Sequence, residues 1–163
     1  MQGTTNERKE IIEEIEHAFA NITYPGDDRL VINPSHYEAD DVIQDFKGKR
    51  WEEITLELAY KHRLSLPLFT SEAFCFYLPG LLVAALRAPA ESKQNPGEIL
   101  EFIFYSLIPL KDESDDTARL FDRIKCFTPQ QKASLGKFVR FFIQTNPNLN
   151  ELYGDAASEL WKV

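Results

Sequence analysis

Cysteine and glycine are scarce in this chain of 163 residues, which contains two cysteines and seven glycines. The isolated thiols of Cys75 and Cys126 fit neither a disulfide framework nor a Cys-x-x-Cys metal site. Free cysteines are typical of a reducing compartment, so we expect a cytoplasmic protein. None of the glycines forms a glycine-rich loop ahead of a helix, which argues against a phosphate-binding loop.

The chain also lacks a hydrophobic run long enough to cross a membrane. The longest apolar run extends from Ala73 to Leu86 and is interrupted by Pro79, whereas a spanning helix needs about 20 residues. Residues 1–15 are polar and acidic, unlike a secretory signal peptide. We therefore expect neither a membrane span nor an export signal.

Positive charge is in deficit, because 18 basic residues stand against 26 acidic ones and the net charge is −8. Phosphate backbones repel such a chain, so nucleic acid is not an expected partner. The charge is uneven, with a net −8 over residues 1–46 and a net +5 over residues 117–145. The basic stretch could recruit an acidic partner through Arg119, Arg123 and Lys125. Alternatively the two ends neutralise each other, or both are simply solvated.

Patterns that carry catalysis are missing as well. No serine lies in a Gly-x-Ser-x-Gly motif, and Cys75 lies among phenylalanines, where a thiol tends to stay protonated. Glu14 and His17 have the spacing of a di-iron ligand pair, but neither His36 nor His62 has a glutamate three residues earlier. The sequence therefore predicts no catalytic residue, no metal site and no cofactor.

What the chain has is a segment that is apolar on nearly every side. It begins at Thr70, a helix-capping residue, continues to Arg87 and contains Pro79. A helix that is apolar all round is buried all round, and an internal proline kinks or splits it. A second segment of this kind runs from Pro96 to Ile108. We expect these two helices at the centre of the fold.

The remaining segments predict one-sided helices with recognisable starts. Capping boxes are expected at Thr4, Ser35 and Asn148. Residues 128–131 are a strong start signal for a long helix, and a further helix is expected from Trp51 to about His62. The helix after Ser35 would place Tyr37 and Phe46 on its apolar face. Residues 29–33 form either a lone strand or an extended tether. The result is an all-α, single-domain bundle of about seven helices over residues 1–163.

Four sequence segments resemble a bacterial family of uncharacterised domains. They are a Phe-Thr-x-Glu-Ala-Phe-x-x-Tyr-Leu-Pro signature at residues 69–79, the Phe-x-Gly-Lys-x-Trp run at residues 46–51, the run at residues 101–109 and the Phe-Thr-Pro-Gln-Gln run at residues 127–131. The resemblance covers roughly residues 8–145, so the last helix with Trp161 is expected outside it. It implies a small cytosolic bacterial protein and no particular activity.

Two functions remain open at this point. The first is a non-catalytic protein-binding module of the immunity, inhibitor or adaptor type, with Arg119, Arg123 and Lys125 as candidate contacts. The second is an enzyme or small-ligand binder with a pocket beside Pro79. Kinks open space between helices, and the polar-tipped side chains expected in that pocket are Trp51, His62 and Tyr77. The partner and the oligomeric state do not follow from the sequence.

Overall fold

The structure is a computed structural model that describes residues 2–109 and 114–162. The chain is 72% helical, and its described residues contain eight α-helices and no β-strand. The predicted all-α class is therefore confirmed. The helices are α1 (Gln2–Phe19), α2 (Ala39–Phe46), α3 (Leu56–Lys61), α4 (Ser71–Arg87), α5 (Pro96–Ser106), α6 (Ser114–Cys126), α7 (Pro129–Thr145) and α8 (Pro147–Trp161).

Internal contacts divide the chain into two compact units. Residues 1–21 and 107–163 form one, here called the terminal unit, and residues 22–106 form the other, the central unit. The central unit contains α2 to α5, and the terminal unit contains α1 and α6 to α8. A single domain over residues 1–163 stays a prediction.

The central unit is organised around α4, which is buried on all sides as its sequence predicts. Thirteen of its 17 residues are buried, and the helix continues through Pro79. The side chain of Thr70 accepts a hydrogen bond of 3.1 Å from the Ala73 amide, so the predicted cap is confirmed. This helix contributes more buried residues than any other helix of the unit.

Three elements of the central unit pack on α4: α5, α3 and a 3-10 turn at Trp51–Glu53. Helix α5 buries a narrower face than its sequence suggested, because Glu101 on its opposite side is exposed. The 3-10 turn approaches α4 most closely at Gly80, where an added Cβ would overlap the Trp51 carbonyl oxygen. Only glycine leaves room for this backbone contact.

The helix predicted from Trp51 to His62 is divided in two. The 3-10 turn ends at Glu53, and α3 begins after Thr55, whose side chain accepts a hydrogen bond of 3.2 Å from the Leu58 amide. Thr55 is therefore a second helix cap inside what the sequence presented as one periodic pattern. The division allows the 3-10 turn and α3 to contact α4 separately.

The capping box predicted at Ser35 and Glu38 is wrong. The side chain of Asn33 instead accepts a 3.0 Å hydrogen bond from the Ser35 amide, and α2 begins four residues later, at Ala39. Asparagine competes for this role because its side chain readily bonds to the backbone two residues on. The turn before α2 is therefore longer than predicted.

Of the two alternatives for residues 29–33, the tether is the closer description. Val31 forms an isolated antiparallel bridge with Phe69, and the Ile32 amide donates a 2.9 Å hydrogen bond to the Leu68 carbonyl. A second bond of 3.1 Å joins the Thr70 amide to the Leu30 carbonyl. The tether thus pairs with the segment that leads into α4.

The terminal unit is built by packing α1 against α7 and α7 against α8. The rings of Phe19 and Phe127 meet edge to face at 6.0 Å, and the Gln131 amide group donates to the Ala18 carbonyl at 3.3 Å. The indole N–H of Trp161 donates a 2.7 Å hydrogen bond to the Leu107 carbonyl. These contacts connect segments that are far apart in the chain.

The predicted helix starts in the terminal unit have mixed outcomes. The helix start predicted at Thr128 is confirmed, and Thr128 and Gln131 form both hydrogen bonds of a capping box. The box at Asn148 is wrong, because α8 begins at Pro147 and Asn148 lies within its first turn. The Thr4 side chain lies outside the described residues, while α1 begins at Gln2.

Among the residues that the structure describes, no helix combines the length and the apolar character needed to cross a bilayer.

We expect Gly80→Ala to lower the free energy of unfolding by about 3 kcal/mol, because the new methyl group would collide with the Trp51 carbonyl and with Ile54. Gly154→Ala is the matched control: it also lies inside a helix, but its Cβ would meet only the mobile end of the Asn150 side chain. Urea denaturation measures both variants. Equal stability of the two would contradict the close approach at Gly80.

Candidate functional site

The arrangement closest to catalytic chemistry surrounds His62, at the end of α3 in the central unit. Its Nε2 lies 2.6 Å from the Asp45 carboxylate, and its Nδ1 lies 3.4 Å from the Ser65 hydroxyl. Lys61 donates a further 2.6 Å hydrogen bond to the same Asp45 oxygen. A serine, a histidine and an aspartate therefore follow one another, as in hydrolases that use a serine nucleophile.

The exposure of these three side chains does not suit hydrolysis. The His62 ring is 3% exposed and Ser65 is 6% exposed, whereas Asp45 is the member that reaches the surface. A serine nucleophile must meet its substrate, and here the hydroxyl lies on the buried side. The cluster instead fastens the end of α3 to α2, because Asp45 belongs to α2.

The Asp45 carboxylate is held in its ionised form. Partial burial alone would raise its pKa, but the hydrogen bonds from His62 and Lys61 and their charges outweigh burial, so the pKa lies below its ordinary value. The same contact raises the pKa of Lys61. Ionised Asp45 thus favours the folded state of the central unit at neutral pH.

The three side chains predicted to line a pocket beside Pro79 are all buried. Tyr77 donates hydrogen bonds to the backbone carbonyls of Phe46 at 2.6 Å and Lys49 at 3.1 Å. The Phe46 ring lies between the other two aromatic groups, 4.8 Å from Tyr77 and 5.1 Å from His62. Burial raises the pKa of the Tyr77 hydroxyl, and the nearby Tyr24 adds to the effect.

Backbone fills the space on the other side of the proline. Trp51 is buried, and its carbonyl rests against Gly80, the residue that follows Pro79. The sequence therefore placed Trp51, His62 and Tyr77 correctly in one region, but that region is packed interior. Each of the polar tips of His62 and Tyr77 is used in an internal hydrogen bond.

A second candidate is a surface groove of about 460 Å³ between α1 and α7 of the terminal unit. Its rim is mostly charged or polar, and its lining residues are Glu10, Glu13, Glu14, His17, Gln130, Ala133, Ser134 and Lys137. The Glu14 carboxylate forms an ion pair with Lys137, and Glu13 forms one with Lys9 at 3.8 Å. The groove is therefore an ion-paired, solvated seam between two helices.

Glu14 and His17, the pair with di-iron spacing, lie in this groove. Within the described part of the chain, no three histidine, cysteine or acidic side chains come together in a way that could hold a metal ion. The ion pair between Glu14 and Lys137 joins the acidic and basic stretches of the sequence. Within the terminal unit, the two stretches thus neutralise each other at this point.

The candidate partner contacts on α6 differ in their accessibility. Arg119 and Lys125 are exposed, whereas Arg123 is only 6% exposed. Lys125 also forms an ion pair of 3.0 Å with Asp122 on the same helix. A basic face made of all three residues is therefore not exposed, because Arg123 is buried. Helical spacing of charges does not by itself distinguish a buried arginine from an exposed one.

The exposed apolar side chains form a third candidate. Tyr37 is 86% exposed, which contradicts its predicted place on the apolar face of the second helix. It precedes α2, in a turn closed by a 2.9 Å hydrogen bond from the Ala39 amide to the His36 carbonyl. Ile32 and Leu64 are also exposed by more than half, and all three belong to the central unit.

Hydrogen bonds hold the segments that carry these three side chains. The Ile32 amide bonds to Leu68, and Leu64 lies in a turn closed by the Ser65 amide and the His62 carbonyl at 2.9 Å. The ring of Tyr37 lies 4.5 Å from that of His36. We call the exposed Tyr37 ring and the hydrogen-bonded turn at residues 36–39 that carries it the Tyr37 surface. The sequence analysis did not predict this surface, because it placed Tyr37 inside the helix. Recognising that Tyr37 precedes the helix start would have indicated its exposure.

Two carboxylates follow Tyr37 at a spacing of three and four residues. Asp40 and Asp41 open α2 and are both exposed. Neither aspartate forms an ion pair with a residue that the structure describes. Lys61 nevertheless lies within electrostatic range of Asp41, because the pKa of Lys61 is raised chiefly by its hydrogen bond to Asp45 and in part by the charge of Asp41.

Residues 7–163 match the model of a family of unknown function, DUF6714. No curated protein and no solved structure matches the chain. The match agrees with the resemblance to an uncharacterised family. It also corrects one expectation, because α8 and Trp161 lie inside the shared region rather than beyond it.

We expect Tyr77→Phe to lower the free energy of unfolding by about 1–2 kcal/mol, because two backbone carbonyls would lose their buried donor. Tyr105→Phe is the control, since the Tyr105 hydroxyl bonds to Glu101 at the surface. Denaturant titrations of the two variants report the difference. A Tyr77→Phe protein as stable as its control would show that the buried hydroxyl is dispensable.

We expect Asp45→Asn to destabilise the protein by about 1–2 kcal/mol at pH 7 through the loss of charge-assisted hydrogen bonds. A carboxyl with a lowered folded-state pKa contributes stability above its unfolded-state pKa and loses it as the pH falls through the folded-state value. The difference between parent and variant should therefore shrink in acid. Asp40→Asn, at an exposed position of the same helix, is the control; identical pH profiles for the two variants would refute the role of Asp45.

Proposed function

Since the chain belongs to the family of unknown function DUF6714, we propose its function from its surface. The protein is a non-catalytic module that binds another protein, of the immunity, inhibitor or adaptor kind. The observation that carries this proposal is the Tyr37 surface, above all a tyrosine ring left 86% exposed on hydrogen-bonded backbone. Its residues replace Arg119, Arg123 and Lys125 as the contacts we favour.

Apolar surface of exposed tyrosine and branched aliphatic side chains is unfavourable in water, and burying it in an interface lowers the free energy. A tyrosine combines a large apolar ring with a hydroxyl that can bond in either direction, and it is among the residues most often found at energetic centres of interfaces. The Tyr37 ring, 86% exposed, therefore has most of its area available to a partner.

The state of the reactive side chains supports a non-catalytic role. The His62 ring and the Ser65 hydroxyl are buried and hydrogen-bonded, and the Tyr77 hydroxyl bonds to backbone. A raised pKa keeps Tyr77 protonated, so its hydroxyl acts as a donor to backbone and not as a base. The hydrogen bonds of these groups contribute to stability, and that structural role accounts for them without a catalytic one.

We also propose that the protein is bacterial and cytoplasmic. The resemblance of residues 69–79 supports the first point. The second is supported by Cys75 and Cys126, which are both free thiols.

Photo-crosslinking tests the proposed function in cells of the organism that encodes the chain. A benzophenone amino acid at position 37 should give a discrete covalent adduct with one other protein, because a bound partner would cover that side chain. The same amino acid at position 152 is the control, since Leu152 is exposed but belongs to α8 in the terminal unit.

Equal adducts from positions 37 and 152, or none from position 37, would refute binding through this surface.

A further inference from the structure

We infer that His36 is the positioning residue of the Tyr37 surface and makes recognition there sensitive to acid. The turn holds Tyr37 in place while the ring nitrogen Nδ1 of His36 carries no proton, and it loosens once that atom is protonated. The inference rests on the proposed function and specifies the regulation of the same surface. It follows from the hydrogen bonds that His36 forms within the turn.

His36 is bonded to its turn at three atoms. Its amide donates a 3.1 Å hydrogen bond to the Asn33 carbonyl, and its carbonyl accepts one of 2.9 Å from the Ala39 amide. Its ring nitrogen Nδ1 accepts a third, of 3.2 Å, from the Glu38 amide. The ring also lies against that of Tyr37, with centroids 4.5 Å apart and planes inclined by 30°. His36 thus fixes the backbone on both sides of Tyr37 and contacts its ring.

The third hydrogen bond determines which nitrogen of the neutral ring carries the proton. A backbone N–H donates only to a nitrogen with a free lone pair, so Nδ1 of His36 is unprotonated and Nε2 carries the proton. Protonation of the ring would add an N–H at Nδ1, and two donors would then face each other at the Glu38 amide. That hydrogen bond would be lost, and the ring would have to turn away from its place beside Tyr37.

Two other turns of the central unit contain the same kind of bond with an asparagine. The side chains of Asn33 and Asn95 each accept a 3.0 Å hydrogen bond from the amide two residues further on. His36 and Glu38 have the same spacing. An asparagine oxygen accepts at every pH, whereas a histidine nitrogen stops accepting when it is protonated. Of these three turns, the one that carries the exposed tyrosine is therefore the one that a proton can open.

The titratable side chains near His36 in the chain are Tyr37, Glu38, Asp40 and Asp41. Among the residues that the structure describes, none on another helix forms an ion pair or a hydrogen bond with the His36 ring. Tyrosine and acidic side chains ordinarily keep one protonation state between about pH 5 and pH 8, where a histidine changes its charge. A change in the turn across this range would therefore report on the histidine.

The ring contact with Tyr37 does not by itself supply the sensitivity to acid. A protonated imidazole also stacks favourably on a tyrosine ring, as a cation–π pair. The loss of the acceptor at Nδ1 is the change that loosens the turn. We expect an effect of the size of one hydrogen bond, about a fivefold change in the population of the closed turn.

NMR of the full-length protein tests the role of His36 without a partner. In long-range proton–nitrogen spectra we expect His36 to be the Nε2–H tautomer at about pH 8. From about pH 8 to pH 5, the Glu38 amide signal should move with the His36 ring signals, and its protection against hydrogen exchange should fall about fivefold. His17 is the internal control, because it is exposed and forms no hydrogen bond with a described residue. Its titration should leave the protection of the Phe19 amide unchanged.

His36→Asn separates the acceptor from the proton. The asparagine oxygen can accept from the same amide, as the Asn33 oxygen does from the Ser35 amide, but it does not titrate. The Glu38 amide should then stay protected at both pH values. His36→Ala removes the acceptor and should lower the protection about fivefold at both. A proton on Nδ1 of His36 at about pH 8, or the same response to acid in the parent and in His36→Asn, would overturn the inference.

Photo-crosslinking extends the test to binding. A benzophenone amino acid at position 35, which is exposed and precedes the turn, leaves both His36 and Tyr37 in place. In extracts of cells that encode the chain, the adduct of the parent with another protein should fall about fivefold between about pH 8 and pH 5. The adduct of His36→Asn should not fall. An equal fall in both chains would assign the sensitivity to the partner and exclude regulation by His36.

The proposed function and the role of His36 fail separately. If neither chain gives an adduct at either pH, binding through the Tyr37 surface fails and its regulation fails with it, while the NMR measurements still decide whether His36 controls the turn. If adducts form and the Glu38 amide does not respond to acid, the role of His36 is wrong and protein binding stands.

Discussion

The complete burial of α4 is the constraint on which the central unit depends. A helix that is apolar on every side has to be surrounded by other parts of the chain. Those surrounding segments carry backbone polar groups, which are then buried away from water and need hydrogen-bond partners. The Tyr77 hydroxyl supplies such a partner, because it donates hydrogen bonds to the carbonyls of Phe46 and Lys49, where the chain leaves α2. Gly80 has no side chain, so the backbone of Trp51 can lie directly on the helix.

This constraint explains why the residues with chemical potential are poor candidates for chemistry. Tyr77 belongs to α4, and His62 and Ser65 lie in the segment between α3 and α4. The polar atoms of all three form hydrogen bonds within the protein. A catalytic group must keep one face open to its substrate. The aromatic side chain that the central unit exposes to solvent is instead Tyr37. Buried reactive groups and an exposed aromatic ring together favour a binding function over a catalytic one.

Features of the fold that depend on residues close together in the sequence were predicted well. The caps at Thr70 and Thr128 and the burial of α4 follow from residue types within one or two turns. The pairing of Asp45 with His62 could not be predicted, because 17 residues separate them and no periodicity relates them. Tyr37 was misplaced because Asn33 delayed the start of α2. Arg123 was misplaced because a helical pattern shows which residues share a face but not what covers that face.

The acidic stretch of the sequence acquires two different roles once the chain folds. In the terminal unit its first part becomes α1, and α7 brings Lys137 to Glu14, so charge there contributes to the packing of helices. In the central unit its second part becomes the start of α2, where Asp40 and Asp41 are exposed and the charge of Asp41 acts on Lys61. The sequence gives each part a net charge, but only the fold decides which charged groups lie near an opposite charge.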